Sequence, residues 1–542
     1  MFVDTILHNF MQKQQLYYDD LYKFTSLRNT LLYICGILFI GLLLQQVLRL
    51  IIDLKKLPPG PYGIPVLGYL AFVGNERHTK YHELAKKYGS IFSARLGCQL
   101  NVVISDYKTI REAFKTYDFI NRPKTPLMDV INGFGIINSE GRLWKDQRRF
   151  LNEKLRHFGM TYLGNRKEQM ETRIMAEVNE LVETLYNFEG TEIDMNGLLS
   201  VSISNVICNL IMSVRFSHDD PRFKRFNWLI DEGFRLFGEV HMIDYIPLIQ
   251  YLPGNINAKS KILQNRCEMF SFYRDVIEQH RNTFDPNNLR DLVDTYLYEI
   301  KKAKEDGCEQ ELFDGRDCDE QIMQVISDLF SAGMETIKTT LLWLQVFMLR
   351  NPDALKRCQD ELDAVIGRNR MPSIDDVPYL PTTEATILEV LRITSIVPLA
   401  TTHSPARDIE INGYKIPAGS HVVPLINSVH MDPNLWDKPE EFNPNRFIDS
   451  EGKVRKPEYF IPFGVGRRKC LGDILARMEL FLYFASLIHR FDLSVPAGSP
   501  LPSLKGNVGV TISPQSFKIK LKARPMAPTC IDTEILRNVG SY

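Results

Sequence analysis

The stretch Phe463-Gly-Val-Gly-Arg-Arg-Lys-Cys-Leu-Gly472 decides how this chain reads. It sets one cysteine, Cys470, on a glycine-punctuated loop directly ahead of an apolar segment, Asp473 to Phe491, of helical length and spacing. Glycine tolerates tight turns and lets backbone pass close to something flat and bulky. Cys470 is therefore expected near a helix N-terminus, where partly positive N–H groups favour the thiolate over the thiol. Arg468 and Lys469 add positive charge beside it. A thiolate held this way is a soft metal ligand. A free cysteine is more often a small buried hydrophobe, so the rest of the chain has to agree.

The 542 residues are 44% hydrophobic and 24% charged with a net charge of −1, a globular composition with ample length for a large core. A near-zero charge argues against a nucleic-acid partner, which would want a basic excess. Nine cysteines lie scattered without CxxC pairs, which fits a reducing compartment better than a disulfide framework.

Residues 1–29 are polar and aromatic. Leu31 to Leu44 is an unbroken apolar and glycine run, which Gln45–Leu48 and Leu50–Ile52 extend to spanning length. Residues 30–52 thus read as a transmembrane signal anchor, with Arg49 able to snorkel to the interface, and 1–29 as a lumenal segment. A cleaved signal peptide fits less well, because no clear small-residue cleavage site follows the run. Charge does not orient it: Lys13, Lys23 and Arg28 on one side balance Arg49, Lys55 and Lys56 on the other. Residues 53–61, ending in Leu57-Pro-Pro-Gly-Pro61, form a stiff non-helical hinge. No linker composition follows, so 62–524 reads as one large domain, with 525–542 an aperiodic tail. Within it, short alternating runs such as Ile91–Leu96 and Asn101–Ser105 read as strands, and helical periodicity dominates from Thr109 to about Arg290. The polar, acidic stretch Cys308–Asp319 reads as a surface loop. The fold class is mainly α with small β-sheets.

The longest helical segment, about Asp319 to Leu349, carries Ser331-Ala-Gly-Met-Glu-Thr336 in the middle of an apolar rod. Glycine inside a helix costs about 1 kcal/mol against alanine. Small side chains let a ligand approach, Thr336 can bond back to a carbonyl one turn earlier and open the helix, and an acid beside a hydroxyl can relay protons. Trp144 and Arg148, one turn apart, are both donors able to meet a carboxylate, or equally a tryptophan packed under a surface arginine. Glu389 and Arg392 put opposite charges on one helix face.

Taken together these motifs resemble the haem-thiolate monooxygenases, the cytochrome P450 family. Phe463-x-x-Gly466-x-Arg468-x-Cys470-x-Gly472, continued by Ala476 and Glu479, is similar to the family's cysteine loop. Ala332-Gly-x-Glu335-Thr336 is similar to its oxygen-activation segment, with Ile337 where a second hydroxyl often stands. Glu389-x-x-Arg392 with Pro444-Asn-Arg446-Phe447 resembles its buried Glu–Arg–Arg network. The resemblance implies haem b (iron protoporphyrin IX) ligated by Cys470, with Phe463 and Gly466 shaping the cofactor loop. It implies Trp144, Arg148, His403 and Arg468 as contacts to the haem propionates, and Thr336 and Glu335 as the catalytic pair delivering protons to bound dioxygen. The thiolate would favour O–O cleavage.

No flavin- or nicotinamide-binding glycine fingerprint occurs, so electrons must come from another protein. The resemblance implies the membrane-bound NADPH–haemoprotein reductase, with cytochrome b5 as a second candidate. Lys453, Arg455, Lys456, Arg467 and Lys469 are candidates for the docking face, and the anchor implies a single-pass endoplasmic reticulum protein with a cytosolic catalytic domain. Substrate-facing segments by analogy are Ile131–Ile137, Leu329–Ala332, Val397–Thr402 and Val508–Ile512. These are mostly apolar or small with a few hydroxyls, which suits a steroid or terpenoid. Pro398-Leu-Ala-Thr-Thr-His-Ser-Pro-Ala-Arg407 is similar to the insect enzymes that hydroxylate moulting hormone at its side-chain terminus, the ecdysteroid 26-hydroxylases. Rival readings are a broad-specificity xenobiotic or terpenoid monooxygenase, a haem-thiolate sensor or carrier without turnover, and an isomerase or dehydratase needing no reductase.

Overall fold

The computed structural model describes residue 11 and residues 33–46, 56–161, 164–217 and 219–525. They divide into two units, one comprising Met1–Pro59 with Asn412–Lys415 and the other Gly60–Ile411 with Ile416–Tyr542. In the first, residues 33–46 are helical. Among the described residues no helix is long and apolar enough to cross a membrane. The expected span over 30–52 runs at both ends into residues outside the described ones. The 1–29 segment (Met11 apart) and the 525–542 tail beyond Pro525 lie outside them too.

In the second unit, helices bound the site: α1 (Gly141–His157), α2 (Asn165–Tyr186), α3 (Asn196–Met212), α4 (Pro221–Val240), α5 (Cys318–Arg350), α6 (Pro381–Thr394) and α7 (Asp473–Arg490). Helix α5, with 33 residues, is about 50 Å long at 1.5 Å per residue and is the axle of the fold. Its start is set by chemistry: the Asp317 side chain accepts from the Glu320 N–H, and Asp319 and Glu320 lie in the first turn, where the helix dipole favours acids. Its apolar residues are buried on nearly all sides because α3, α6 and α7 pack around it. Helix α3 is likewise buried almost throughout from Leu199 to Met212, as expected of a helix apolar all round.

The strands are short and peripheral: β1 (Ile91–Leu96), β2 (Gln99–Ile104), β3 (Glu192–Ile193), β4 (His421–Pro424), β5 (Phe491–Ser494), β6 (Gly506–Val508), β7 (Ile512–Pro514) and β8 (Ile519–Ala523). One sheet runs β1-β2-β4, antiparallel between β1 and β2 and parallel between β2 and β4, with Asn101 opposite His421. A second runs β3-β8-β5, and β6 and β7 form a hairpin. The mainly α class with small sheets is what the periodicity implied.

Most of Cys308–Asp319 is exposed, as expected of a surface loop, with local departures. A 3-10 turn covers Glu309–Gly315, α5 already begins at Cys318, and Phe313 is buried against Tyr296. Hydrophobic burial of one aromatic side chain overrides the acidic composition around it.

Behind the site, Glu389 of α6 accepts from Arg392 Nε at 2.7 Å and Nη2 at 2.8 Å, and from Arg446 Nε at 3.0 Å. The Asn443 N–H adds a further bond to the same carboxylate at 2.9 Å. The Glu389 and Arg392 side chains are fully buried. The network joins α6 to the Pro444–Phe447 turn and so supports the loop that leads to Cys470.

Candidate active site

The cysteine loop is built by backbone contacts. The Cys470 N–H donates to the Phe463 carbonyl at 2.9 Å, closing the loop, and α7 starts at Asp473 with Gly472 as its N-cap. Gly466 has a φ of +76°, and a Cβ there would sit 2.0 Å from the Phe114 carbonyl oxygen, so no side chain fits. Arg148 of α1 donates to the Lys469 carbonyl at 2.6 Å and holds the loop from the side.

Cys470 is surrounded by protein atoms yet open to a cavity of about 390 Å³, within the roughly 300–1,000 Å³ of ligand pockets. Opposing influences act on the thiol. Burial pushes its pKa up and Asp473 adds to this, outweighing the Gly472 N–H, Arg148 and Lys469, which pull it down. The helix N-terminus alone does not ionise Cys470; a bound cation would, because metal coordination deprotonates a thiol outright.

Ala332, Gly333, Thr336 and Thr340 of α5 also line this cavity. Thr336 Oγ1 donates to the Ala332 carbonyl at 2.8 Å, the back-bond its position implied, but α5 runs unbroken through it rather than opening. Gly333 answers to packing: a Cβ there would lie 2.5 Å from Ile207 Cδ1 of α3. Glu335 does not line the cavity. Its carboxylate accepts from Thr511 Oγ1 at 2.9 Å and Thr339 Oγ1 at 3.2 Å and pairs with Lys338 Nζ at 2.8 Å. Thr336 and Glu335, adjacent in sequence, thus point to different surroundings.

A cluster of arginines and other hydrogen-bond donors borders the same cavity. Trp144, Arg148, His403, Phe463 and Arg468 all line it. The Arg468 guanidinium lies 4.2 Å from the centre of the Trp144 ring and donates to the carbonyls of Ile120 at 2.7 Å and Ile136 at 3.1 Å. His403 is held at the sheet by paired backbone bonds with Val422, and its Nδ1 bonds to the Phe119 carbonyl at 2.6 Å. Burial, then Arg122, hold this imidazole well below its ordinary pKa.

Arg122 was not singled out in the sequence, where no motif or spacing marks it. It is buried, lines the cavity and donates to the carbonyls of Thr402 at 2.9 Å and Ile137 at 3.0 Å. Burial pushes Arg468 down to about 8, with Arg122 and Arg148 adding to the effect and Glu140 opposing it. Arg122 and Arg148 are shifted down by their own burial. Glu140 offsets only part of the burial of Arg122 and Arg468, so guanidinium groups packed this closely favour a further anion beside them. A flat group carrying two carboxylates at one edge and a thiophilic metal at its centre, which haem is, fits these donors and the Cys470 thiol together.

The remaining walls are apolar or small: Ile136, Ile137, Leu329, Ile396, Val397 and Ala400, with hydroxyls at Ser395 and Thr401. Three of the four expected substrate segments are therefore represented. The fourth, Val508–Ile512, lies elsewhere: Val508 and Ile512 line a second cavity of about 640 Å³ around Trp343, and Thr511 turns its hydroxyl to Glu335. The β6–β7 hairpin, invisible in local periodicity, makes this difference. Asp328 is another wall residue that pattern reading missed. Its carboxylate accepts from the N–H groups of Ile136 at 2.8 Å and Ile137 at 2.9 Å, fixing that loop against α5.

The sequence pattern of the cytochrome P450 family matches residues 58–521. The chain is 62% identical over 541 residues, the whole of both proteins, to cytochrome P450 18a1 of Drosophila melanogaster. It is 37% identical over 479 residues to cytochrome P450 2D6 of Homo sapiens, covering 86% of this chain and 93% of that protein. Against cytochrome P450 2U1 of Rattus norvegicus it is 35% identical over 493 residues, covering 86% and 91%. A match across nearly the whole second unit, on a fold that turns one cysteine into an apolar cavity rimmed by arginines, means that this chain belongs to the cytochrome P450 family and is a haem-thiolate monooxygenase.

Proposed function

We propose that this enzyme hydroxylates ecdysteroids at the side-chain terminus, C26, and so inactivates the hormone. The observation that carries the reading is the cavity wall: an apolar surface broken by a few hydroxyls, which suits a polyhydroxylated steroid better than a uniformly greasy substrate. The Pro398–Arg407 segment, which supplies Ala400, Thr401 and His403 to that wall, and the full-length similarity to an insect protein support it. The test is a substrate-binding difference spectrum and reductase-supported turnover with ecdysteroids, terpenoids, fatty acids and generic lipophiles. Ecdysteroids are expected to bind and turn over preferentially. Equal turnover of unrelated lipophiles would favour a broad-specificity monooxygenase instead.

In this reading Cys470 ligates haem, whose bound form supplies the dioxygen chemistry. Arg148, Arg468, Trp144 and His403 receive the propionates, and Phe463 and Gly466 shape the loop that presents the thiolate. Thr336 holds a proton at its Oγ1 at the cavity wall, while Glu335, paired with Lys338 and accepting from Thr511 and Thr339, faces away from the cavity. Thr336→Ala is expected to keep haem and bind substrate but to divert reducing equivalents to peroxide, a loss of product per NADPH of about tenfold or more, at the scale of a positioned proton donor. Unchanged coupling would make Thr336 a packing residue.

Electrons come from the membrane-bound NADPH–haemoprotein reductase, with cytochrome b5 as a second donor. The apolar run over 30–52 anchors the chain once in the endoplasmic reticulum membrane, residues 53–61 serve as the hinge, and residues 62–524 form the cytosolic catalytic domain.

A further inference from the structure

Three stretches distant in the chain meet at one wall of the haem cavity. Ser395 and Ile396 follow α6, Pro424 and Ile426 lie where β4 passes into the short helix Ile426–His430, and Ile461 and Pro462 open the cysteine loop. Behind that wall His430 is fully buried, with the Phe460 ring centred 5.7 Å away and Trp436 edge-on at 6.4 Å. The direction of each of its bonds is fixed. A backbone N–H only donates, so His430 Nε2, 3.0 Å from the Ile461 nitrogen, carries a lone pair. The neutral imidazole then holds its proton on Nδ1, which faces Ser395 Oγ at 2.8 Å. That oxygen accepts, and sends its own proton to the Arg392 carbonyl at 2.9 Å. Arg392 Nη1 in turn donates to the His430 carbonyl at 2.8 Å. Burial, then Arg392, push the imidazole down to about 3, so the ring stays neutral.

Both ends of this chain of bonds matter to the site. Ser395 has a φ of +39°, the left-handed region that a residue with a side chain enters only when its surroundings hold it there. Its Oγ bonds to Arg392 and His430 are that hold. At the other end, Ile461 is two residues before Phe463, whose carbonyl accepts from the Cys470 N–H at 2.9 Å. Hydrogen bonds and one short covalent segment therefore run without a gap from the strained turn at Ser395 to the backbone of Cys470. A leucine would fill the space of the imidazole; what the imidazole adds is direction, and a buried polar ring is tolerated only when its partners are all present.

We propose that His430 is a positioning residue of this enzyme: its two ring nitrogens fix the turn Ser395–Val397 relative to the cysteine loop, and so set how tightly the cavity grips a ligand large enough to reach that turn. The two ends are coupled through the ring. Ser395 Oγ holds the proton on Nδ1 and thereby keeps Nε2 free to accept from Ile461, so a change at Ser395 alters the bond at Ile461. Loss of one such support lets the wall drift beyond the roughly 0.5 Å within which a binding site has to be held.

The test uses the full-length holoenzyme and two iron-binding azoles: imidazole, too small to reach the walls, and clotrimazole, whose three aryl rings do. The pair makes the result independent of which substrate the enzyme takes. His430→Gln keeps an acceptor for the Ile461 N–H and loses the bond to Ser395; His430→Asn does the reverse. Each is expected to retain the thiolate Soret band and the affinity for imidazole, while clotrimazole affinity falls about fivefold, the size of one lost hydrogen bond. His430→Gln combined with Ser395→Ala is expected to lose less than the product of the two single effects, because both break the same bond. The second readout is hydrogen exchange of the Ile461 amide. Ser395→Ala alone is expected to speed it about tenfold, although the substitution lies on the far side of His430. If the His430 variants do not hold haem, Ser395→Ala and the Ile461 amide decide. Equal losses for the two azoles, unchanged clotrimazole affinity, fully multiplicative single effects, or an Ile461 amide indifferent to Ser395→Ala would each overturn the proposal.

Discussion

Cys470→Ala is expected to abolish the red-shifted Soret band of the reduced carbon monoxide complex completely and, with it, all turnover. Cys470 is the sole cysteine on the cavity wall among the described residues, and the other soft or basic groups there do not replace it. His403, the one imidazole on the wall among the described residues, is held at the sheet with its Nδ1 on the Phe119 carbonyl. The apoprotein, by contrast, should lose little stability. The Cys470 side chain faces the cavity rather than the packed core, so its removal costs within about 0.5 kcal/mol of unfolding free energy. Visible spectroscopy and denaturant unfolding of the apo form separate the two effects. A histidine-type spectrum in the unmutated protein, or a retained thiolate band in the variant, would be incompatible with Cys470 as the ligand.

The second large effect is expected at Glu389. Its carboxylate accepts four hydrogen bonds, three from two guanidinium groups and one from the Asn443 N–H. Glu389→Ala strands Arg392 as an uncompensated buried cation beside Trp436, and breaking a buried pair from one side costs about 3–5 kcal/mol. Against a typical stability of roughly 5–15 kcal/mol this is a large share, so the variant should accumulate poorly and hold substoichiometric haem. Glu389→Gln keeps the shape and one acceptor and should fall between. Thermal or denaturant unfolding with haem quantitation measures it. A change below about 1 kcal/mol in the alanine variant would place the network outside the folding core.

The two residues also mark the range over which local sequence is informative. The Cys470 loop is a local object: glycines, arginine, cysteine and the helix that follows lie within one short segment, so residue spacing alone defines its shape. The back-bond of Thr336 is local too, because a threonine reaches only the carbonyl one turn earlier in its own helix. The Glu389 network needed Arg446 from a distant turn, and only the resemblance of Pro444-Asn-Arg446-Phe447 to the family's partner motif pointed there.

Other features depended on segments far apart in the chain. Glu335 is turned from the cavity by Thr511, brought in on the β6–β7 hairpin, and by Lys338, which is 8% exposed. Arg122 and Asp328 became wall residues only when the Gly135–Ile137 backbone was laid between them. At Cys470 the local donors, Arg148 and Lys469 draw the thiol pKa down while burial by elements from elsewhere in the chain draws it up.

The amino-acid sequence by itself determined the helix-rich class, through periodicities a few residues long, and the family, through short motifs that resemble it and carry its cofactor and reaction type. Which acid faces the cavity, which arginines crowd its rim and which segments make its walls were decided by the tertiary structure alone. Burial and the convergence of distant chain segments set the electrostatics of a site, and neither is a property of any short stretch of sequence.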